Sequence, residues 1–324
     1  MEKIRLAVDV ESGDFGAEII LAGVTEALQR SETRFKVFLC GDKGEMEKIL
    51  RSDAGGAGRF DNDLEIVHCP DRVAAHEQRR VQLWKEMRNA SIIRCITLQK
   101  EGIVDASVSA GDTAILLGGA LFILGRRRNA LRPALAAFLP TTDKRGALLL
   151  DVGANLNCRK EHLVSFAIMG REYLCAMGDN TMPRVALLNI GSEQVKGTNV
   201  IAEADKLLQR KCPGYAGFVE ANHVFSGGAD VIVSDGFAGN VLLKTGESFH
   251  MLIQSVLGKK PFMLADLKND LAVLDAENYG AVPFLGIRGI VLKAHGRSSP
   301  RAIASALLAA ETAVRRNRSS GIFA

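Results

Sequence analysis

The most constraining feature of the sequence is a unit that recurs along its length: an apolar run, a loop containing glycine, and a helical pattern. The first unit runs from residues 4–10 through Glu11-Ser12-Gly13-Asp14 into a helical stretch at residues 17–29. The apolar runs are continuous rather than alternating, which is typical of strands that are covered on both faces. Further runs of this kind lie at residues 35–40, 106–108, 147–152, 185–190, 230–234 and 289–294.

This succession of strands and helices predicts an α/β fold, namely a three-layer α/β/α sandwich around a mostly parallel sheet. In an open sheet of this kind, ligands bind beyond the carboxyl ends of the strands. We therefore expect the loops that follow the strands to gather at one edge of the sheet and to form a shared pocket.

The length of 324 residues allows two lobes or one large domain. We predict a single α/β/α domain over residues 1–324. Residues 246–280 stand out within it, because two amphipathic helical pieces flank a break at Lys259-Lys260-Pro261. This segment is predicted to form a helical hairpin insertion, which is a candidate for a dimer contact or for peripheral contact with a membrane surface.

Charge and aromatic content argue against nucleic acid as a partner. Lys and Arg number 41 against 37 Asp and Glu, which leaves a net charge of +4. That excess is too small to indicate a surface that binds a polyanion. The single tryptophan, Trp84, cannot supply a stacking platform for single strands.

The cysteines and the apolar runs predict a soluble protein of a reducing cytoplasm. Six cysteines occur without a CxxC pair, which fits neither a zinc ribbon nor a disulfide framework. The first residues lack the apolar core of a signal peptide. The longest apolar run, residues 114–125, is shorter than the roughly 20 residues that a membrane-spanning helix needs.

Several motifs of common enzymes are missing from the sequence. Neither the dinucleotide fingerprint GxGxxG after a strand nor the phosphate loop GxxxxGK[ST] occurs. The nucleophile elbow GxSxG is missing too, and His76-Glu77 lacks the second histidine of a zinc protease motif. We therefore predict no metal ion and no cofactor, and a classical NAD enzyme or a serine hydrolase becomes a poor candidate.

The remaining candidates are glycines and small polar side chains in the loops that follow the strands. Glycine lets a ligand approach the backbone closely, and helix N-termini beyond such loops attract anions. Cationic groups near these loops are Lys196, Lys244 and His295. The same Asp and Asn side chains are equally suited to cap helices, so both roles stay open at this point. The loop candidates are Asp9, Gly13, Asp14, Ser109, Gly111, Thr113, Asp151, Gly153, Asn155, Asp235, Gly236, Gly239 and Asn240.

Several stretches match one known family in order and spacing. The most specific are LLLDVGAN at residues 148–155, PRVALLNIGSEQVKG at 183–197 and ADVIVSDGFAGNVLLKT at 229–245. On these stretches the whole chain resembles the PlsX-type phosphate acyltransferases. Further matching stretches lie at residues 8–14, 108–113, 132–140 and 279–296.

The resemblance implies a fold, a reaction and partners. The family's fold is similar to that of phosphotransacetylases and isocitrate dehydrogenases, and its members are usually homodimers. Its reaction converts acyl-[acyl carrier protein] and inorganic phosphate to acyl phosphate for phospholipid synthesis. The resemblance thus implies acyl carrier protein as the acyl donor, and a cytoplasmic enzyme that works at the inner face of the cell membrane.

The reaction implied by the resemblance needs positioning more than strong acid–base chemistry. Phosphate is already a nucleophile at neutral pH, and a thiol with a pKa near 8.5 is a good leaving group. We expect Ser109, Gly111 and Thr113, with the Asn155 loop, to hold phosphate. Asn240 and the amides after Asp235 are expected to serve the oxyanion or the phosphopantetheine arm. Positive charge would come from Lys196, Lys244 and His295.

Two basic patches are candidate docking sites for acyl carrier protein, which is an acidic helical bundle. The first is formed by residues 126–128 with Arg132, and the second by Arg315, Arg316 and Arg318. Basic residues near helix ends also complement the helix dipole, and that alternative applies to both patches.

The chain departs from the family at the loops that would hold phosphate. Where the family has Ser-Ala-Gly-Asn-Thr-Gly, residues 109–114 read Ser-Ala-Gly-Asp-Thr-Ala. Asp112 therefore places a carboxylate where a neutral amide is usual. At about 4 Å, two like charges repel by about 4 kcal/mol at an effective dielectric constant of 20. We expect Asp112 to weaken phosphate binding unless it is protonated or paired.

Other functions stay open at the level of sequence. A phosphate acetyltransferase or butyryltransferase would use acyl-CoA on the same fold. A degenerate protein that binds an anion or carrier without catalysis is suggested by Asp112 and Ser12. An NAD-linked decarboxylating dehydrogenase on a related fold is a more distant alternative.

Overall fold

The computed structural model describes residues 3–31, 35–52, 62–73, 83–178, 181–193, 195–257 and 280–323. The chain divides into two compact units, and each is described by itself. Unit 1 comprises Met1–Arg127 with Tyr279–Ala324, and unit 2 comprises Arg128–Asn278. The single domain expected over residues 1–324 stays a prediction.

Strands and helices alternate along most of the chain. In chain order the strands are β1 (Arg5–Asp9), β2 (Lys36–Gly41), β3 (Leu64–His68), β4 (Ala106–Ser109), β5 (Ala134–Leu139), β6 (Ala147–Leu150), β7 (Val185–Asn189), β8 (Tyr215–Glu220), β9 (Val231–Val233), β10 (Ala281–Leu285) and β11 (Ile290–Ala294). The α-helices are α1 (Ala17–Arg30), α2 (Lys43–Arg51), α3 (Leu83–Glu86), α4 (Ser91–Lys100), α5 (Thr113–Gly119), α6 (Lys160–Met177), α7 (Asn199–Lys211), α8 (Gly236–Leu257) and α9 (Pro300–Ser320).

The sheet of unit 1 has the strand order β3-β2-β1-β4-β11-β10. Neighbouring strands are parallel except β10, which pairs antiparallel with β11. The central strands are mostly apolar because residues on both of their faces are buried; Leu6 and Ala7, for example, have no solvent exposure. The carboxyl ends of the parallel strands therefore lie at one edge of this unit.

Helices α1 and α9 pack closely together in unit 1. Gly23 of α1 permits this, because a Cβ there would lie 2.6 Å from Ile303 Cβ and 2.7 Å from the Pro300 carbonyl oxygen. Helix α9 begins with a strong start signal: Ser299 caps it by accepting a hydrogen bond from the Ala302 amide, and Pro300 follows at the first helical position.

The sheet of unit 2 has the strand order β5-β6-β9-β7-β8. Strand β5 is antiparallel to β6, and the other neighbours are parallel. Helix α6 packs against β6 and β9, and Gly170 allows the close approach. A Cβ on Gly170 would lie 2.7 Å from Val231 Cγ1 and 2.8 Å from Leu150 Cδ1.

The predicted α/β fold with a mostly parallel sheet is confirmed. All seven apolar runs that the sequence singled out form strands, whereas β3, β5, β8 and β10 were not predicted. Strands β3 and β8 are half-exposed at the sheet edges and lack a continuous apolar run. Strand β10 carries Pro283, which ordinarily argues against a strand.

The predicted hairpin at residues 246–280 begins inside a long helix. Helix α8 continues through Gly246 to Leu257 without a break. The predicted break at Lys259-Lys260-Pro261 and the second helical piece lie outside the described residues. Within the part of the chain that the structure describes, no helix combines the length and the hydropathy that crossing a membrane requires.

Candidate active site

A cavity of about 520 Å³ lies in unit 1 where β1, β4 and β11 end. The loops that follow these strands contribute to its lining, as expected for a parallel sheet. Of the predicted residues, Gly13, Asp14, Gly111 and Thr113 line this cavity.

Asp9, at the end of β1, lies beneath the cavity and is fully buried. Its carboxylate accepts hydrogen bonds from Ser91 Oγ and Ser109 Oγ, each at 2.6 Å, and from Ser12. Burial raises the pKa of the Asp9 carboxyl, and the hydroxyl groups oppose this rise. Asp9 therefore ties together the segments that follow β1 and β4 and the start of α4.

The Ser109 hydroxyl is used within the protein. It donates a hydrogen bond to Asp9 and accepts one from the Gly111 amide at 3.0 Å. Ser109 has a relative exposure of 1%. Its observed contacts therefore shape the 109–113 loop, whereas Gly111 and Thr113 face the cavity.

Asp112 is the N-cap of α5. Its Oδ1 accepts hydrogen bonds from the Ala114 amide at 2.8 Å and the Ile115 amide at 3.1 Å. Two of the amides at the start of α5 thus already bind a carboxylate of the chain itself. Asp112 also lines the cavity, so its carboxylate lies in the loop that the sequence predicts to hold phosphate.

Among the described residues, more acidic than basic side chains line the cavity. Arg72 pairs with Glu45 and with Glu11, whose carboxylate lies 3.4 Å from Arg72 Nε. Lys293 Nζ donates to the carbonyl oxygens of Ala110, at 3.4 Å, and Ala294. Partial burial raises the pKa of Glu11, against the opposing effect of Arg72. The lining carboxylates are Glu11, Asp14, Glu45 and Asp112.

His295 lies in the loop after β11 and is exposed. Its Nδ1 accepts a hydrogen bond from the Arg297 amide at 3.1 Å. The same loop is joined to the loop after β1, because the Asp14 amide donates to the Gly296 carbonyl at 2.7 Å. Gly296 lines the cavity and His295 does not.

In unit 2, Asp151 occupies a position like that of Asp9, directly after strand β6, and is fully buried. Its partners are mostly backbone amides: those of Leu135 (2.9 Å), Ala154 (3.1 Å) and Asn155 (2.6 Å), with Gly153 at 3.3 Å. Burial raises the pKa of the Asp151 carboxyl, and these hydrogen bonds oppose the rise. The carboxylate therefore fixes the backbone of the whole 151–155 loop.

Asn155 completes this loop rather than presenting its amide to solvent. Its Nδ2 donates to the Pro133 carbonyl at 2.7 Å and to Asp151 Oδ2 at 2.9 Å. Its own carbonyl accepts from the Gly236 amide at 2.8 Å. Asn155 thus joins the loop after β6 to the start of α8.

Helix α8 starts in close contact with the 151–155 loop, which explains two of its glycines. A Cβ on Gly239 would overlap the Asp151 carbonyl oxygen, and one on Gly236 would lie 2.8 Å from the Asn155 carbonyl oxygen. Asp235 precedes the helix and accepts from the Ala238 amide at 2.8 Å. These two glycines are therefore required by packing of backbone against backbone.

Asn240 lies inside α8 and not in the loop before it. Its Nδ2 donates to the Val152 carbonyl at 2.9 Å and lies 3.2 Å from where a Cβ of Gly153 would be. Gly153 has a φ of 140°, which an L-residue rarely adopts. Asn240 is exposed, so it borders both the 151–155 loop and the solvent.

The two predicted lysines of unit 2 are half-exposed and ion-paired. Lys196 Nζ lies 2.9 Å from Glu193 Oε1, and Lys244 Nζ lies 2.6 Å from Glu247 Oε2. Glu193 raises the pKa of Lys196, mainly through their hydrogen bond. Lys244 and Asn240 belong to one exposed groove along α8, whose apolar lining includes Phe249 and Leu252.

Sequence reasoning missed the residues that hold these loops. Ser91 and Asn189 were not singled out, although one binds Asp9 and the other closes the loop after β7. Arg72 and Lys293, the two cations in the described lining of the unit 1 cavity, were missed as well. Lys293 lies within an apolar strand, and a lysine inside a buried strand is the signal that could have identified it. Among the described residues, His, Cys, Asp and Glu side chains form no group of three that could hold a metal ion.

Comparisons with known proteins agree over nearly the whole chain. Residues 4–320 match the model of a family described as "Fatty acid synthesis protein". A phosphate acyltransferase of Desulforamulus reducens is 37% identical, with 96% of this chain and 94% of that protein covered. A phosphate acyltransferase of Campylobacter concisus is 36% identical, with 95% and 93% covered.

Solved structures show the fold. A phosphotransacetylase from Streptococcus pyogenes has a TM-score of 0.65 at 14% identity, covering 98% of this chain and 94% of that one. A branched-chain phosphotransacylase from Enterococcus faecalis has a TM-score of 0.60 at 16% identity, covering 96% and 99%. The fold similarity to phosphotransacetylases that the resemblance implied is confirmed. By its family model and its relatives, the chain belongs to the fatty acid synthesis protein family and is an acyltransferase enzyme that performs acyl transfer with phosphate.

Proposed function

We propose that the enzyme transfers the acyl group of acyl-[acyl carrier protein] to inorganic phosphate and so makes acyl phosphate for phospholipid synthesis. A phosphate oxygen attacks the thioester carbonyl carbon, a C–O bond forms, and the C–S bond breaks. The thiolate of the phosphopantetheine arm leaves and takes a proton from water, because a thiol with a pKa near 8.5 needs no strong acid at neutral pH.

The proposal rests on one observation: over nearly its full length the chain is 36–37% identical to relatives named phosphate acyltransferase. The description of the family as a fatty acid synthesis protein agrees with this. Fatty acid synthesis runs on acyl chains carried as thioesters, so a carrier-bound acyl group is the donor that fits. Acyl-CoA is the alternative donor, and the experiment below separates the two.

In this proposal, the cavity of unit 1 receives phosphate. Gly13 and Gly111 let the anion approach the backbone, and the Thr113 hydroxyl donates to it. Arg72 and Lys293 supply the positive charge that balances the carboxylates of the lining. Asp9 and Ser109 act from beneath by fixing the loops, which follows from their burial and hydrogen bonds.

The loops of unit 2 serve the acyl donor in this proposal. Asp151, Gly153 and Asn155 hold one loop rigid, and Asn240 donates from α8 at its edge. The exposed ammonium groups of Lys196 and Lys244 stabilise the oxyanion or the phosphates of the pantetheine arm. His295, which belongs to unit 1 and is exposed after β11, is proposed as a further source of positive charge.

The basic patches are proposed to dock acyl carrier protein. On α9, Arg315 and Arg318 are exposed and pair with Glu311 at 2.8 Å and Asp105 at 3.7 Å. Residues 126–128 with Arg132 form the other patch. Charge reversal at either patch should weaken carrier binding at low salt, since rim charges act through screened long-range attraction.

A cytoplasmic location, a homodimer and a peripheral membrane contact through residues 246–280 are also proposed. In support, α8 exposes large apolar side chains that a monomer in water would ordinarily bury. Phe249, Met251, Leu252 and Val256 are each more than half exposed. Analytical ultracentrifugation at several concentrations, and flotation with anionic vesicles, test the two contacts separately.

The deciding experiment supplies purified enzyme and phosphate with palmitoyl-[acyl carrier protein] or palmitoyl-CoA, and traps acyl phosphate with hydroxylamine. We expect phosphate-dependent product from the carrier-linked donor at least tenfold faster than from the CoA donor at equal concentration. Faster use of acyl-CoA would assign the enzyme to the alternative donor. No hydroxamate from either donor would contradict the proposal.

A further inference from the structure

A single buried side chain closes the loop that carries Lys196. Asn189 is the last residue of β7, and its relative exposure is 5%. Its Nδ2 donates to the Gly191 carbonyl at 3.0 Å and to the Lys196 carbonyl at 3.1 Å. Because these two carbonyls lie near the two ends of the 190–197 loop, one amide group fixes the loop at both ends.

Asn189 uses only its donors. Within the described part of the chain its Oδ1 is buried and accepts no hydrogen bond. Burying the Asn189 Oδ1 without a donor is unfavourable. If filling space were the only requirement at this position, an apolar side chain would avoid that cost. Aspartate in its ionised form has no donor for the two carbonyls. The residue type therefore matches the task of holding two carbonyl oxygens.

Two glycines let the loop take this shape. A Cβ on Gly191 would overlap Lys196 Cδ and lie 2.8 Å from Glu193 Oε2, so the stem of Lys196 lies across the Gly191 backbone. Gly197 has a φ of 95°, and a Cβ there would overlap Asn189 Oδ1. The Lys196 stem and the Asn189 side chain therefore occupy space that only glycine leaves open.

Charge around the loop keeps Lys196 protonated and directed. Glu193 pairs with its ammonium group at 2.9 Å, and Glu220 adds a weaker attraction. Glu220 ends β8 and pairs in register with Asn189 on β7. The ammonium group of Lys196 is thus held near the ends of β7 and β8 and stays half-exposed.

We propose that Asn189 is a positioning residue that places the Lys196 ammonium group for acyl transfer to phosphate by fixing the 190–197 loop at both ends. This inference rests on the proposed function, in which Lys196 stabilises negative charge during the reaction. Asn189 itself is buried and acts only through the loop. Its removal should therefore matter only while Lys196 is present.

A double-mutant cycle tests this dependence. Asn189→Ala should lower kcat/KM for phosphate at least tenfold, whereas in the Lys196→Met background the same change should alter it less than twofold. The KM for phosphate should stay within twofold, because the proposed function places phosphate in the unit 1 cavity, and a general loss of structure would not allow this. Tyr215→Phe is the matched control, because it removes a 2.7 Å hydrogen bond to Asp205 in the same unit without touching the loop. It should leave kcat/KM within twofold.

A second variant avoids the buried position. Gly191→Ala adds a methyl group where the Lys196 stem lies, so it should lower kcat/KM for phosphate in the same direction even if Asn189→Ala unfolds the protein. Equal losses from Asn189→Ala in both backgrounds would overturn the inference, as would full activity of either Asn189→Ala or Lys196→Met. These results leave the proposed function standing. Failure of the unaltered enzyme to form acyl phosphate would instead contradict the proposed function, and the inference with it.

Discussion

The two units of the molecule place a buried aspartate at the end of a strand, yet they satisfy it with different chemistry. Asp9 in unit 1 accepts hydrogen bonds from serine hydroxyls, including Ser91 and Ser109. Asp151 in unit 2 accepts from backbone amides and from the Asn155 side chain. Hydroxyl groups rotate and can either donate or accept, whereas an amide N–H in a fixed loop can only donate. The unit 1 network should therefore tolerate change better than the unit 2 network.

The loops that these aspartates anchor also differ in charge. Among the described residues that line the cavity of unit 1, four are carboxylates and two are cations. In unit 2, Lys196 and Lys244 are half-exposed and each pairs with one glutamate. The described lining of the unit 1 cavity is therefore acidic on balance, whereas each exposed lysine of unit 2 is balanced by one glutamate.

The largest effect is expected from Asp151→Asn. Asparagine keeps one accepting oxygen, but the NH₂ group that replaces the other carboxylate oxygen cannot accept. The Asn155 amide and Asn155 Nδ2, which both donate to Oδ2, would then lose their acceptor, at about 1–3 kcal/mol each. Urea unfolding should show a loss of about 3 kcal/mol relative to the unaltered protein. A loss of less than about 1 kcal/mol in the free energy of unfolding would show that these groups find other acceptors. Asp151 and Asp9 would then be equally tolerant of the change to asparagine.

Asp112→Asn should have the next largest effect, and on binding rather than on stability. Asparagine caps helices as well as aspartate does, so α5 keeps its cap while the cavity loses one negative charge. We expect the KM for phosphate to fall about tenfold, which corresponds to about 1.4 kcal/mol of removed repulsion. An unchanged KM, measured alongside Glu45→Gln as a second lining carboxylate, would place phosphate outside this cavity.

Asp9→Asn should cost less than the same change at Asp151, about 1 kcal/mol, because a serine hydroxyl can rotate to accept from the new amide. The pKa of Asp9 is raised above its ordinary value of 3.8 by burial. The protonated carboxyl therefore stabilises the folded protein fully below pH 3.8. This stabilisation is lost as pH rises through the raised pKa.

The stability difference between the unaltered protein and Asp9→Asn should accordingly be largest near pH 4 and shrink towards pH 7. Urea unfolding of both proteins across this range measures it. A difference that grows with pH would mean that the hydroxyl groups favour the ionised carboxyl more than burial opposes it.

The smallest effect is expected from Glu193→Gln. The pair with Lys196 is half-exposed, and such pairs contribute at most about 1 kcal/mol. Releasing Lys196 from its partner should change kcat/KM for phosphate by no more than about twofold. Glu247→Gln, which releases Lys244 on α8, is the comparison. A larger effect from Glu247→Gln than from Glu193→Gln would show that Lys244 contributes more to the reaction than Lys196.

Much of the fold was predictable from local patterns. The strand that ends at Asp9 is continuously apolar because both faces are covered, so β1 could be predicted without knowing its neighbours. Edge strands such as β3 and β8 have mixed exposure and give no such signal. The family was predictable as well, since motifs such as LLLDVGAN keep their order along the chain.

The site was predictable only in part. Gly111 and Thr113 were expected at a cavity and do line one, but Ser109 lies beneath it with its hydroxyl directed to Asp9. Asn240 was placed in a loop and lies inside a helix. Position after a strand brings a residue to the right edge of the sheet, whereas the direction of its side chain depends on which partners are within hydrogen-bond distance.

The amino-acid sequence by itself determined the α/β alternation, the edge at which loops collect, and the family, because periodicity and motif order are local properties of the chain. Only the tertiary structure decided which polar groups form hydrogen bonds inside the protein and which face solvent. Ser91 reaches Asp9 across 82 residues, and Asn240 reaches Val152 across 88. Such hydrogen bonds form only when the strands have assembled, so no local sequence pattern predicts them.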